Sequence, residues 1–233
     1  MRRGVVERLD MKRIIVEQFK RVATLKSLAA SIAAAAALSL GCARASAQET
    51  RAAQQTQPQS QTQTDEQAAA QKYFTDVSLV NQDGEAMRLY SDLLKGKVVV
   101  IDFFFATCQG TCLPMNRNLQ KVQDSLGDRL GKVVYLISIS VDPAVDTPAR
   151  LKEYAKKLNA RPGWYFLTGE KANVDFALHK LGQYVENKQD HTNIFIIGNE
   201  RTGLWKKAFG LAKPDELIKV VDSVIDDRPA GGR

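Results

Sequence analysis

Cysteine and histidine, the residues that most often bind transition metals, are scarce in this sequence. Its 233 residues include three cysteines and two histidines. Zinc and iron–sulfur sites usually take four protein ligands, so few combinations of these residues could form one. Long apolar runs are also scarce. The run at residues 28–41, LAASIAAAAALSLG, is shorter than the roughly 20 residues that a membrane-spanning helix needs.

Excess positive charge is confined to one end of the chain. The whole sequence has 33 Lys or Arg and 26 Asp or Glu, a formal net charge of +7. Residues 1–47 hold nine of the basic and three of the acidic residues, which leaves 24 basic and 23 acidic residues in the rest. This balance, with no basic stripe among aromatic residues, argues against a nucleic-acid partner.

The N-terminal segment has the pattern of an export signal. Five basic residues between positions 12 and 26 precede the apolar run, and the small residues ASA favour cleavage after Ala47. A Gly-Cys pair ending at Cys42 also resembles a lipoprotein processing site, although Ser39 stands where a leucine is usual. We therefore expect residues 1–47 to direct export to the periplasm or the outer face of the inner membrane. Any membrane contact would then be through a lipid on Cys42.

Composition divides the remaining chain into a linker, one domain and a short tail. Residues 48–71 are rich in Gln, Thr and Ala and have almost no large apolar side chain. They cannot bury enough apolar surface to offset the entropy of ordering, so we expect a flexible linker. Residues 72–228 are long enough for one domain with its own core, and residues 229–233 form a C-terminal tail.

Apolar periodicity within the predicted domain indicates an α/β fold. The run KVVVIDFFFA is rich in β-branched and aromatic residues, as in a strand covered on both faces. Strand patterns in VVYLISISV, WYFLTG, NIFIIG and the short stretch 204–206 alternate with helical patterns at about 112–126, 147–158, 171–181 and 214–225. We predict an α/β sandwich, a central mixed sheet with helices on both faces.

Two cysteines, Cys108 and Cys112, follow the strand KVVVIDFFFA in the segment FFFATCQGTCLPMNRNL. Their position at the strand exit suggests a thioredoxin-like version of the sandwich. Four-residue helical spacing puts Cα atoms about 6 Å apart, which a disulfide tolerates, and a helix N-terminus favours the thiolate form. The pair could be a structural disulfide, a redox pair or part of a metal site, and a bridge across so small a loop would add little stability.

Two histidines differ in their predicted settings. His179 lies inside a predicted helix, where a partly exposed structural histidine is typical. His191 lies in KQDHTNIFIIG, just before an apolar strand that would neighbour the strand carrying the cysteines. Thioredoxins that exchange disulfides usually have a cis-proline at this place. Its absence from DHTNIF favours metal binding over general disulfide exchange.

Three segments in order, FFFATCQGTCLPMNRNL, ISISVDPAVDTPARLKEYAKKL and QDHTNIFIIG, resemble the Sco/SenC family of copper-binding proteins. Members of this family have a thioredoxin-like fold and help to assemble the binuclear copper site of cytochrome c oxidase. The resemblance implies that Cys108, Cys112 and His191 bind copper and that Asp142, in the SVDP segment, supports these ligands. It also implies two partners, an oxidase copper-site subunit or another copper acceptor and a reductant for the thiols.

The resemblance is imperfect around the cysteines. Family members commonly have a proline directly after each cysteine, whereas Gln109 follows Cys108 and Leu113 separates Cys112 from Pro114. The implied ligands are all present, so this departure bears on partner preference rather than on copper binding.

The donor chemistry suits copper, since two thiolates and one imidazole form a soft set of few ligands. Met115 could add a weak sulfur ligand, and core packing is the alternative for this residue.

Two functional hypotheses remain, a copper chaperone and a thiol-disulfide reductase in which Cys108 and Cys112 are the redox pair. They differ at His191, which copper binding requires and disulfide exchange does not.

Overall fold

The computed structural model of the protein describes residues 7–10 and 59–228. The strands are β1 (Glu7–Asp10), β2 (Ser78–Asn81), β3 (Ala86–Arg88), β4 (Val98–Phe104), β5 (Val134–Ser140), β6 (Trp164–Thr168), β7 (Ile194–Asn199) and β8 (Leu204–Phe209). The α-helices are α1 (Gln59–Phe74), α2 (Cys112–Leu126), α3 (Pro148–Lys157), α4 (Lys171–Lys180) and α5 (Pro214–Ile225), and a π-helical segment spans Leu89–Leu94.

The described strands form one mixed sheet in the order β1-β8-β7-β4-β5-β6-β2-β3. β4 pairs in parallel with β5 and antiparallel with β7, so that Val100 lies beside Leu136 on one side and Ile197 on the other. β4 is therefore central, and every one of its residues is buried. This is the arrangement that its continuous apolar sequence predicts.

Helices cover both faces of the sheet. One apolar cluster joins β4 and β5 to α2, α3 and α5 through residues such as Leu119, Leu151 and Leu217. The other cluster joins the opposite face to α1, the π-helical segment and α4, with Phe74 and Leu178 among its members. The predicted sandwich with a mixed central sheet is confirmed.

Most predicted elements agree closely with the structure. The helices at 112–126 and 214–225 have the predicted bounds, because their apolar residues repeat at helical spacing and face the core. Pro148 and Pro214 each occupy the first helical position, where a missing N–H costs nothing. Strand β8 extends to Phe209, three residues beyond the predicted stretch, because it pairs with β7 along its whole length.

The structure differs from the predicted flexible linker at residues 48–71, because helix α1 begins at Gln59. Gln and Ala form helices readily, so low hydrophobicity does not prevent a helix whose end packs on the domain. Phe74 is buried, and Tyr73 packs on the same cluster. The backbone carbonyl of Gln67 accepts a hydrogen bond from the Tyr90 hydroxyl at 3.1 Å.

The predicted cleavage site, Cys42 and the tail at residues 229–233 lie outside the described residues. Strand β1 falls within the predicted export signal and pairs antiparallel with β8, Glu7 beside Lys207. Among the described helices, none combines the length and apolar character that a membrane crossing requires.

Candidate metal centre

The loop between β4 and α2 carries Cys108 and is fixed to the sheet by hydrogen bonds. The Cys108 N–H donates to the carbonyl of Phe105 at 3.0 Å. The Ala106 N–H donates to the buried carboxylate of Asp146 at 3.0 Å, and the Ser140 hydroxyl donates to the same oxygen at 2.6 Å. Because Ser140 is the last residue of β5, the cysteine loop is tied to the neighbouring parallel strand.

The two thiols have different environments. Cys112 is the first residue of α2 and is 1% exposed, whereas Cys108 is half-buried, and both are free thiols. Burial raises the pKa of the Cys112 thiol to about 12, and a hydrogen bond with the Cys108 side chain acts in the same direction. The sequence predicts that the helix N-terminus favours a thiolate, and at Cys112 burial outweighs this effect. The free Cys112 thiol therefore keeps its proton at neutral pH until a cation displaces it.

His191 faces the buried cysteine. Its Nε2 atom lies 3.4 Å from the Cys112 Sγ, and its Nδ1 atom lies 2.8 Å from the Lys188 carbonyl oxygen. A carbonyl can only accept a hydrogen bond, so Nδ1 carries a proton, and in the neutral ring the Nε2 lone pair faces Cys112. The edge of the ring meets Phe105, with centroids 5.5 Å apart. This tautomer and orientation are those that a metal-binding imidazole needs.

Asp142 reaches His191 through Lys188. The Lys188 Nζ lies 2.5 Å from the Asp142 Oδ2 and 5.2 Å from the centre of the Phe105 ring. The backbone carbonyl of Lys188 is the group that holds the His191 Nδ1 proton. Asp142 thus forms an ion pair with a residue of the loop that carries His191. The sequence reasoning missed Lys188, whose position three residues before His191 was the available indication.

Two other candidate residues lie apart from this centre. His179 is exposed on α4, and its ring stacks on Tyr184 at a centroid distance of 3.9 Å. Met115 is a buried residue of α2, and a Cβ atom at Gly210 would come within 2.6 Å of its terminal methyl group. Core packing, the alternative considered for Met115, is what the structure has.

Cys112 contacts both Cys108 and His191 through its side chain. Within residues 59–228, no three His, Cys, Asp or Glu side chains surround a common position suitable for a metal ion. Cys108 is half-buried and lies in the loop that precedes α2. Two sulfur atoms and one imidazole nitrogen suit a soft ion that accepts few ligands.

Comparison with known proteins identifies the family. The sequence model of the SCO1/SenC family matches residues 62–226. The chain belongs to the SCO1/SenC family. The SCO1 protein homolog of Bacillus subtilis is 34% identical over 142 residues, which cover 59% of this chain and 67% of that protein.

Solved structures of Sco proteins share the fold. Yeast Sco1 with copper bound has a TM-score of 0.54 and 28% identity, covering 67% of this chain and 95% of that one. BsSco, in which a disulfide switch was identified, belongs to the Sco family of cytochrome c oxidase assembly proteins. It has a TM-score of 0.53 and 30% identity, covering 65% of this chain and 92% of that one. The predicted family and the thioredoxin-like fold are confirmed.

Proposed function

We propose that this SCO1/SenC protein is an exported copper chaperone that binds copper through Cys108, Cys112 and His191. It helps to assemble the copper centre of cytochrome c oxidase, and the copper-site subunit of the oxidase, or another copper acceptor, receives the ion. The observation that carries the proposal is the 3.4 Å contact between the Cys112 Sγ and the His191 Nε2, with the Nδ1 proton engaged elsewhere. Yeast Sco1 with copper bound, a structural relative, supports the choice of metal.

The chain's own residues prepare the site for a cation. The Lys188 carbonyl orients the His191 ring so that a lone pair is available without rotation. Burial makes an unpaired thiolate at Cys112 unfavourable, so the thiol releases its proton when a cation takes its place. The half-buried Cys108 is the donor that an incoming ion meets first and the donor that an acceptor can displace first.

Oxidation of the two cysteines would switch copper binding off. Joining Cys108 and Cys112 in a disulfide gives two electrons and two protons to an oxidant and leaves no thiolate to bind copper. A thiol reductant that returns the electrons and protons would restore the site. The disulfide switch of BsSco supports this part of the proposal.

Export is the setting in which such a switch is useful, because disulfides form and persist outside the cytoplasm. The basic and apolar pattern of residues 1–47 supports export to the periplasm or to the outer face of the inner membrane. Lipid on Cys42 would supply the membrane contact if processing occurs at that residue.

A second function, thiol-disulfide reductase, is favoured by the pairing of an accessible and a buried thiol. The half-buried Cys108 could attack a substrate disulfide, and Cys112 could then resolve the mixed disulfide. The substrates would be the cysteines of the copper acceptor or of other exported proteins. This reaction needs no imidazole ligand, so it makes no use of the His191 geometry.

Copper titration of the reduced protein separates the two functions. We expect one copper ion per wild-type chain and loss of tight binding in Cys108→Ser and in Cys112→Ser. Oxidised wild-type protein should bind no copper and should regain binding after reduction. If the reduced wild-type protein bound no copper but still reduced a disulfide substrate, the chaperone function would be rejected in favour of the reductase function.

A further inference from the structure

A side-chain hydrogen bond joins the two segments that carry the candidate ligands. The Thr111 hydroxyl donates to the Asn193 Oδ1 at 2.5 Å. Thr111 directly precedes Cys112, and Asn193 lies two residues after His191. The bond therefore runs beside the contact between the Cys112 Sγ and the His191 Nε2 and links the same two segments.

Thr111 occupies a position where its hydroxyl would ordinarily serve a different purpose. It is the N-cap residue of α2, and threonine at this position usually accepts a hydrogen bond from the first turn of the helix. Here Thr111 has helical backbone angles and its side chain makes no capping hydrogen bond. The hydroxyl instead reaches across to a residue 82 positions further along the chain. Local helix stability does not explain this contact.

Both ends of the hydrogen bond are attached to ordered backbone. The Thr111 carbonyl accepts from the Met115 N–H at 3.0 Å, which anchors it to α2. The Asn193 carbonyl accepts from the Gly210 N–H at 2.8 Å, which anchors it beside the end of β8. By contrast, the Lys188 carbonyl that holds the His191 ring belongs to the same loop as the histidine. Lys188 fixes the orientation of the ring, and a contact from the cysteine segment is needed to fix its distance from Cys112.

We propose that Thr111 and Asn193 are positioning residues that hold His191 against Cys112. The proposal rests on the proposed function, because it concerns the copper ligands of that site. It adds two residues that are not proposed as ligands and that set the separation between the two halves of the site. A side chain that supports a metal ligand in this way typically affects metal affinity without being a ligand.

The test compares four variants of the full chain. Thr111→Val removes the hydroxyl and keeps the side-chain size, whereas Thr111→Ser keeps the hydroxyl. Asn193→Ala removes the acceptor. Thr107→Val is the matched control, because Thr107 is an exposed threonine of the same loop. The first measurement, on reduced metal-free protein, is the nuclear Overhauser effect between the His191 ring and the Cys112 β protons.

We expect the Overhauser effect between the His191 ring and the Cys112 β protons to be strong in the wild type, Thr111→Ser and Thr107→Val. It should weaken markedly in Thr111→Val and Asn193→Ala. The second measurement is copper affinity, which should fall about threefold to tenfold in Thr111→Val and recover in Thr111→Ser. The double variant Thr111→Val/Asn193→Ala should lose no more copper affinity than either single variant, because both substitutions remove the same hydrogen bond.

An unchanged Overhauser effect in Thr111→Val, or an equal loss in Thr107→Val, would overturn the assignment. So would a failure of Thr111→Ser to restore the wild-type behaviour. If the wild-type protein bound no copper, the proposed function would fail, and the metal-free measurement would still decide whether the hydrogen bond positions His191.

Discussion

The two histidines of this protein sit in contrasting environments. His179 is exposed on a helix and stacks on Tyr184. His191 precedes a central strand, and its two ring nitrogens face Cys112 and the Lys188 carbonyl. A histidine whose nitrogens both have fixed neighbours has one favoured neutral tautomer and one ring orientation. The comparison shows that the constraint on the ring, rather than the presence of a histidine, distinguishes a candidate ligand.

The largest expected effect is the loss of copper binding in His191→Ala. Loss of outer partners of a ligand already costs about 10- to 100-fold in metal affinity, so loss of the ligand should cost about 100-fold or more. His179→Ala is the matched control and should bind copper like the wild type. Reduction of a disulfide substrate should persist in both variants. Copper titration followed by absorption spectroscopy measures the copper affinity of each variant. Tight stoichiometric copper binding by His191→Ala would show that His191 is not a ligand.

The second prediction concerns how the free energy of unfolding depends on pH. It distinguishes the contribution of a buried carboxyl group from that of the histidines. Asp102 is fully buried in β4, accepts a hydrogen bond from the Ser138 hydroxyl, and its Oδ2 has no partner within residues 59–228. Burial raises the pKa of Asp102 to about 7. The unfolded group has a pKa of about 3.9, so the folded protein holds the extra proton between these values. The free energy of unfolding should therefore fall as pH rises from about 4 to about 7.

Asp102→Asn should reduce this fall in the free energy of unfolding and should be more stable than the wild type at pH 8, by on the order of 4 kcal/mol. Burial also raises the pKa of Asp146, so a smaller fall in the same direction should remain. Urea unfolding of reduced, metal-free protein at several pH values provides the measurement. His179→Ala and His191→Ala serve as controls. The prediction would be contradicted if the fall in the free energy of unfolding with pH disappeared in a histidine variant and persisted in Asp102→Asn. The histidine, rather than Asp102, would then cause the pH dependence.

The smallest expected effect comes from the ion pair behind His191. Asp142→Asn removes the charge that holds Lys188 at 2.5 Å and leaves an ammonium group unneutralised near the site. Copper affinity should fall about threefold to tenfold, because the loop loses a restraint and the site gains repulsion toward a cation. Asp83→Asn is the control, since Asp83 pairs with Lys152 at 3.0 Å on the surface. Equal copper affinities for the wild type and Asp142→Asn would show that this ion pair does not support the site.

Much of the fold could be predicted from local sequence pattern. The run in β4, apolar except for Asp102, indicated a strand covered on both faces, and the helices at 112–126 and 214–225 show clear helical spacing. Helix α1 could not be predicted in this way, because its Gln-rich sequence lacks an apolar face. Its docking depends on Tyr73 and Phe74 at its last turn. The composition of a segment does not predict the tertiary contacts that one of its ends makes.

The candidate ligands stand out in the sequence more clearly than the residues that contact them in the structure. Cys108, Cys112 and His191 stood out as rare residue types near predicted strand ends. Thr111 directly precedes α2, and its hydrogen-bond partner Asn193 lies 82 residues away. The high pKa of Cys112 also depends on burial by side chains distant in sequence. Interactions of this kind become visible only when the fold brings the segments together.

X-ray absorption spectroscopy at the copper edge tests the central claim most directly. Copper-loaded wild-type protein should show two sulfur ligands and one imidazole nitrogen, and copper-loaded His179→Ala should give the same spectrum. His191→Ala, loaded at higher copper concentration, should keep the sulfur ligands and lose the protein imidazole contribution. An imidazole contribution that persists in His191→Ala, or a copper environment without two sulfur atoms in the wild type, would contradict the proposed site.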